Sequence, residues 1–297
     1  MDDKIKINTL KSLPEQNTQE WLEWRKGMIG ASDAPIIMFE SPWKTPYKLW
    51  CEKVGLEQPP PPNQFMQRGH ELEPIAREKF EELTGHIVTP VTMVSKDHPW
   101  MMASLDGLSF CGKVMVEIKC PGQSSHDIAK RGFIPESYRA QLQHQLVVNP
   151  GAVLYYFSFR DNDCAIVEVI PDQEYQKRLV QEEYTFWKQV QELTPPELLN
   201  MDFQVKEDAN WQAACYDYRL AKESLEVAVE KEKKARERLI ELADGQSSKG
   251  CNIRVAKYIR KGSVDYSAIP ELKKVDLSSY RKAPAECWRV TYDNSFA

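Results

Sequence analysis

The run Val114-Met115-Val116-Glu117-Ile118-Lys119-Cys120 constrains the fold of this chain more than any other stretch. Side chains two apart on a β-strand share a face, about 7 Å apart. Glu117 and Lys119 therefore stand side by side, while Val116 and Ile118 fill a core on the other face. Ser104-Leu105-Asp106-Gly107 lies just upstream, so the two stretches read D-x10-E-x-K, and Glu73 precedes them on an expected helix. A lone E-x-K is commonplace, and a surface salt bridge explains it. A second acid brought in from a neighbouring strand changes the meaning. Two acids and an ammonium can hold Mg²⁺ beside a nucleophilic water, an arrangement that cuts phosphodiesters. The first expectation is a metal-dependent nuclease.

The surrounding pattern gives a mixed α/β core over residues 1–200, a central mixed sheet flanked by helices. Strands are expected at 86–94, 100–103, 113–120, 153–160 and 164–170. Apolar residues at helical spacing predict helices at 46–56, 73–84, 134–148 and 172–193. Pro59 to Pro62 form a stiff, exposed connector between the helices expected at 46–56 and 73–84. Pro195-Pro196 closes the unit, and residues 201–297 form a C-terminal extension. There Trp211, Ala214, Tyr218, Ala221, Leu225, Ala228, Ala235, Leu239 and Leu242 recur at alternating steps of three and four, with Glu232 breaking the series. That is a coiled-coil-like seam on one long helix, 208–243. A small β-rich piece, 250–297, is expected behind it, with strands near 252–260 and 287–292.

Each candidate residue has a chemical role and a plainer alternative. Asp106, expected just after a strand where the chain turns at Gly107, and Glu117 on the adjacent strand are the primary metal ligands. The backbone carbonyl of Ile118, between the two functional side chains, is a further ligand. Glu73, at the start of its helix, adds a carboxylate, or is simply an acid favoured by the helix dipole. Lys119 orients or deprotonates the attacking water, or offsets charge in the transition state. Arg25 and Ser32 flank the small-residue turn Gly30-Ala31-Ser32, which could hold a phosphate; the plainer reading is a helix cap. Gln141, with Gln145 one turn later, could bind the scissile phosphate or position water, although exposed glutamine pairs are usually idle. Arg68, Lys130 and Arg131 could line a channel, or simply be solvated.

A net charge of −5 weakly disfavours nucleic acid as a partner, although an enzyme can concentrate positive potential in one channel. The seven cysteines are scattered and odd in number, with no C-x2-C pair, so neither a structural zinc nor a disulfide framework is expected. No apolar run approaches the roughly 20 residues a membrane span needs, and the first residues lack the layout of a signal peptide. A cytoplasmic location is expected.

Five motifs in order complete the reading: W-x3-R-x4-G-A-S-D (Trp21 to Asp33), R-G-x-E-x-E-P (Arg68 to Pro74), S-x-D-G (Ser104 to Gly107), V-E-I-K-C-P (Val116 to Pro121) and A-Q-x-Q (Ala140 to Gln143). Together they resemble the YqaJ-type viral recombinases and the phage lambda exonuclease-like family of the PD-(D/E)xK nuclease superfamily, over about residues 18–195. The resemblance implies a restriction-endonuclease-like core and a phage or prophage exonuclease, in the bacterial host cytoplasm. It would use one or two Mg²⁺ ions, with Mn²⁺ able to substitute, and digest one strand of duplex DNA 5′ to 3′. The product would be a 3′ overhang for single-strand annealing. By motif position, Glu73, Asp106 and Glu117 look like metal ligands, Lys119 like the water-activating lysine, and Gln141 like a supporting glutamine. Arg25 and Ser32 match residues that hold a 5′-phosphate, and Ser104 a serine beside the metal site. A ring-shaped trimer and an annealing or single-strand-binding partner are also implied. Two rivals remain: an endonuclease with the same site, and a non-catalytic DNA-end-binding accessory.

Overall fold

The computed structural model describes residues 18–265, 268–272, 275, 280–285 and 290. Its chain divides into Met1–Val205 and Lys206–Ala297. In the first unit the helices α1 (Gln19–Lys26), α2 (Ala34–Ile37) and α3 (Pro46–Lys53) come first, and the strands are β1 (Ile29–Gly30), β2 (Val88–Val94), β3 (Met101–Ser109), β4 (Val114–Lys119), β5 (Val153–Arg160) and β6 (Asp163–Val169). They form one mixed sheet in the order β1-β3-β4-β5-β6, with β2 also on β3. β4 and β5 run parallel, so the chain must cross over between them. That crossover carries α5 (Gln123–Lys130) and α6 (Glu136–Val148).

Alternation along β4 and β5 supplies two cores. Met115, Leu154 and Tyr156 face a large cluster built with α6 and α7 (Gln173–Gln191), including Leu142, Leu146, Leu179 and Phe186. Val116, Ile118, Phe157 and Phe159 face the other way, onto Ala76 and Phe80 of α4 (Gln64–Thr84). Both faces are covered, as such apolar strands require.

The sheet forks at β3. One edge of β3 pairs along its length with β2. On the other edge, Gly107 and Leu108 pair with Val116 and Met115 of β4, whereas Met101 and Met102 pair with β1. Residues 103–106 lie between these pairings with no strand partner on that edge. The fork creates a gap in the middle of a buried sheet, and the candidate residues gather there.

Three local expectations need correction. α4 begins nine residues before the predicted start, at Gln64, where the Asn63 side chain accepts from the Met66 amide at 2.9 Å. Its first two turns bury nothing, so they carry no apolar stripe to read. Glu73 and Pro74 are therefore inside the helix, and the helix-start reading of Glu73 falls. β3 continues through Asp106 and Gly107 to Ser109 rather than turning there. The short α5 had no predicted counterpart.

In the second unit, α8 (Ala209–Leu242) is capped by Asp208, whose side chain accepts from the Trp211 amide at 3.0 Å. β7 (Ser248–Gly250) and β8 (Ile253–Val255) follow as an antiparallel hairpin. Its two turn residues, Cys251 and Asn252, have φ of 46° and 62°, the left-handed pair that a tight hairpin demands. The strand expected at 252–260 is thus shorter and pairs backwards onto β7. The one expected at 287–292 lies outside the described residues, apart from position 290.

Candidate active site

Asp106 owes its direction to a β-bulge. Thr89 pairs with Leu108 and Val91 with Leu105, so Asp106 and Gly107 together oppose Pro90 alone. Proline has no ladder N–H to lose, and an extra residue on the partner strand re-aims the side chains beside it. Gly107 is needed because the strands close tightly there: a β-carbon would meet Val88 Cγ2 at 2.6 Å and Val116 Cγ1 at 2.7 Å. Beyond Gly107 the β3–β4 ladder stops, which would leave the buried Ile118 amide without an acceptor. Asp106 Oδ2 accepts from it at 2.8 Å. The carboxylate thus satisfies a buried donor left open by the fork.

Glu117 is 1% exposed and held from three sides. Its Oε1 accepts from Lys119 Nζ and from Gln141 Nε2, both at 2.5 Å. Its Oε2 accepts from Gln145 Nε2 at 2.5 Å. Gln141 and Gln145 reach it because residues four apart on α6 share a helix face. Lys119 also lies over the Tyr138 ring, 5.5 Å from its centroid. Burial by itself would lower the Lys119 pKa, but the Glu117 and Asp106 carboxylates outweigh it and hold the ammonium above its ordinary value. Asp106 moves the same way for a different reason. Burial, then the charges of Glu117 and Glu73, push its carboxyl well above the usual range, against the pull of Lys119.

Glu73 comes to the fork through an arginine. Arg77, one turn along α4, bonds the Glu73 carboxylate, and its Nε donates to the Asp106 carbonyl at 2.8 Å. The helix is thereby tied to the bulge. Asp106 feels the charges of both Glu117 and Glu73, and these carboxylates, with the Ile118 carbonyl, are donors of the hard-oxygen type that a divalent cation prefers. Among the described residues no group of three His, Cys, Asp or Glu side chains is already arranged around a metal position. Each carboxylate here is instead engaged by its own partner. Those partners must give way or share for Glu73, Asp106, Glu117 and the Ile118 carbonyl to take a common ion.

The turn after β1 bounds the other end of the gap. Ser32 Oγ accepts from Arg25 Nη2 at 2.6 Å, so these two predicted residues are in contact. Asp33 fixes the turn from beneath. It is buried, accepts from the Gly30 amide at 2.9 Å, and pairs with Lys53 at 2.6 Å. Burial opposes its charge, but Lys53 and then Arg25 prevail and keep its pKa below the ordinary carboxylate value. Lys53 also donates to the Met28 carbonyl at 2.6 Å, closing the loop.

Other predicted residues are placed differently. The Ser104 hydroxyl meets Thr92 Oγ1 at 3.5 Å, on the β2 side. Arg68 pairs with Asp161 at 3.1 Å and Lys130 with Asp163 at 2.5 Å, near the β5–β6 turn. Gln145 was paired with Gln141 by helical spacing, but as an exposed glutamine pair of the usually idle kind; both instead donate to the buried Glu117 carboxylate. Sequence reading missed Arg77, Lys53 and Tyr138 altogether. It also gave His144 no role, and this residue is a buried strut: Nδ1 faces Glu183 at 2.8 Å and Nε2 faces the Met102 carbonyl at 2.9 Å.

Comparison with known proteins agrees with the resemblance read from the motifs. Residues 20–151 match the model of the YqaJ-like viral recombinase domain. The protein YqaJ of Bacillus subtilis strain 168 is 32% identical over 181 residues, covering 58% of this chain and 56% of that one. The chain therefore spans little over half the length of that curated relative. The crystal structure of an alkaline exonuclease, LHK-Exo from Laribacter hongkongensis, is 28% identical with a TM-score of 0.51. LHK-Exo in complex with dAMP is 27% identical with a TM-score of 0.53. Both cover 60% of this chain and 94% of the other. The core is thus a mixed α/β sheet like that of the PD-(D/E)xK alkaline exonucleases. Among the described residues no helix is long and apolar enough to cross a membrane.

Proposed function

We infer that this chain, whose residues 20–151 match the YqaJ-like viral recombinase domain model, is a metal-dependent deoxyribonuclease that degrades duplex DNA from its ends, 5′ to 3′. The observation that carries the reading is the Glu117 carboxylate, held by Lys119, Gln141 and Gln145 across the fork from Asp106. LHK-Exo, an alkaline exonuclease with a dAMP complex, supports the reaction class.

Glu73, Asp106, Glu117 and the Ile118 carbonyl would hold Mg²⁺. The bound ion, or Mn²⁺ in its place, would supply positive charge opposite the scissile phosphate and lower the pKa of water. The chain's own side chains do the rest. Gln141 and Gln145 fix both oxygens of Glu117, so that the carboxylate enters the reaction with one orientation. Lys119 faces the same oxygen as Gln141. It is positioned to orient the attacking water and to offset charge as the phosphorus becomes pentacovalent. Arg25 and Ser32, on the Asp33-braced turn, supply a guanidinium and a hydroxyl for a terminal 5′-phosphate.

This chemistry makes 3′ overhangs, the substrate of single-strand annealing. The reading therefore extends to a phage recombination enzyme in the host cytoplasm, working with an annealing or single-strand-binding protein, and to a ring trimer that encloses the duplex. Two assays test it. Linear duplexes labelled at either 5′ or 3′ ends, with Mg²⁺, should lose the 5′ label first while covalently closed circles survive. Rapid cutting of the closed circle would instead establish the endonuclease reading. Arg25→Ala should lower the rate on 5′-phosphorylated ends more than on 5′-hydroxyl ends, by about tenfold, as expected for one lost charge-assisted contact. Equal losses on both would remove the phosphate pocket.

A further inference from the structure

Arg77 lies on α4 one turn after Glu73, and little of either side chain is exposed, 17% and 28%. An ion pair at this spacing is usually no more than a helix brace. This one reaches a second element. Nη2 bonds Glu73 Oε1, and Nε donates to the Asp106 carbonyl at 2.8 Å. Nε and Nη2 form one edge of the guanidinium, and their N–H bonds point the same way. The two acceptors must therefore lie side by side, so the guanidinium sets the Glu73 carboxylate against the peptide of Asp106. An ammonium has no such fixed edge. Both acceptors sit where the backbone alone gives weak support. Pro74 follows Glu73 inside α4 and has no N–H, so the helix lacks one of its own bonds there. Asp106 lies in the β-bulge and has no strand partner on the β4 side.

We propose that Arg77 is a positioning residue for the divalent cation: bonding Glu73 and the Asp106 carbonyl along one edge, it holds their carboxylates toward a common ion. The proposal rests on the nuclease reading in one respect, that Glu73 and Asp106 are ligands. Arg77 engages Oε1 of Glu73, and Oε2 takes no hydrogen bond among the described residues, so the clamp leaves an oxygen for the ion. A group that hydrogen-bonds a ligating carboxylate orients it, and losing that group weakens metal binding by about tenfold to a hundredfold. Charge and orientation act in opposite directions here. The guanidinium repels a cation, so removing its charge would by itself tighten binding. Removing its edge loosens binding, and a positioning role makes this second effect the larger.

Mn²⁺ binding to the full chain without DNA, followed by electron paramagnetic resonance of the free ion, tests it. Arg77→Lys keeps the charge and loses the edge, and should weaken Mn²⁺ by about tenfold or more. Arg77→Gln should also weaken it, despite the lost positive charge, and serves as the second variant if the lysine form does not fold. Glu73→Gln should weaken it too. Adding Arg77→Lys to Glu73→Gln should then cost less than about twofold more, because Arg77 acts through that carboxylate. In turnover, Arg77→Lys should need about tenfold more Mn²⁺ for half-maximal rate and approach the wild-type kcat at saturation. An Arg77→Lys affinity within about twofold of wild type would overturn the proposal while leaving Glu73 a ligand. So would tighter binding by Arg77→Gln, or a full further loss in the Glu73→Gln background. A kcat that stays low at every Mn²⁺ concentration would also overturn it, since that marks a damaged fold. If Glu73→Gln leaves Mn²⁺ binding unchanged, the ligand assignment itself fails, and the proposal with it.

Discussion

At Gly107 a β-carbon would lie 2.6 Å from one valine methyl and 2.7 Å from another, on both flanking strands. Neither neighbour is a flexible side-chain end, so the strands themselves must separate. Gly107→Ala should therefore cost about 1–3 kcal/mol of stability, the usual penalty for overpacking. It should also misdirect Asp106, lowering activity beyond what the stability loss explains; chemical denaturation alongside turnover measures both. Gln145 offers a complementary case. Gln145→Leu removes one donor from Glu117 without adding charge, so kcat should fall by about tenfold to a hundredfold, the scale of losing one charge-assisted bond. KM for DNA should change little. Lys119→Ala should go further and abolish cleavage while DNA binding persists, and retained turnover would exclude the lysine from the chemistry. Glu117 and Lys119 were legible in the sequence because a period of two on one apolar strand is a local signal. Asp106 was legible only as an acid before a glycine, and was expected at a turn rather than inside β3. Arg77 and Tyr138 were not legible, because an arginine on a helix and a tyrosine on another acquire meaning only from what they touch.

Among the elements, α6 binds the site to the core. Its Gln141 and Gln145 reach Glu117, while His144 between them points to β3 and α7. Burial opposes charge on His144, but Glu183 and the Met102 carbonyl more than compensate and raise its pKa above 6.5. Glu183 is itself raised, chiefly by burial; Asp33 and Lys53 are the other charges that act on the pair. A histidine whose folded pKa is raised stabilises fully below its unfolded value and loses that contribution as pH climbs through the folded one. The difference in melting temperature between wild type and His144→Gln should therefore be largest below pH 6.5 and shrink on the alkaline side. A difference independent of pH would mean that the buried histidine stays neutral. The pairing of α6 with α7 could not be read from the chain, since 39 residues separate His144 from Glu183. The early start of α4 escaped for the opposite reason: its first turns bury nothing and so show no apolar pattern.

For the whole molecule, the division at Val205 separates chemistry from a long helix and a hairpin. Every side chain placed at the fork belongs to the first unit, so a chain ending at Val205 should fold and cleave at a rate within about twofold of the full chain, apart from effects of assembly. A truncated chain that folds but cannot cut would make the second unit part of the active enzyme. The amino-acid sequence by itself determined the E-x-K strand, the ordered motifs, the family resemblance and the seam of α8. Each is a matter of residue type at fixed spacing, which backbone geometry converts directly into a face. Only the tertiary structure decided the fork. The bulge at Asp106, the unpaired edge of β3, the clamp on Glu117 and the tie through Arg77 all depend on which strands stop pairing and where. That is settled by packing between segments distant in the chain, Gly107 against Val88 and Val116 above all, and no local pattern encodes it.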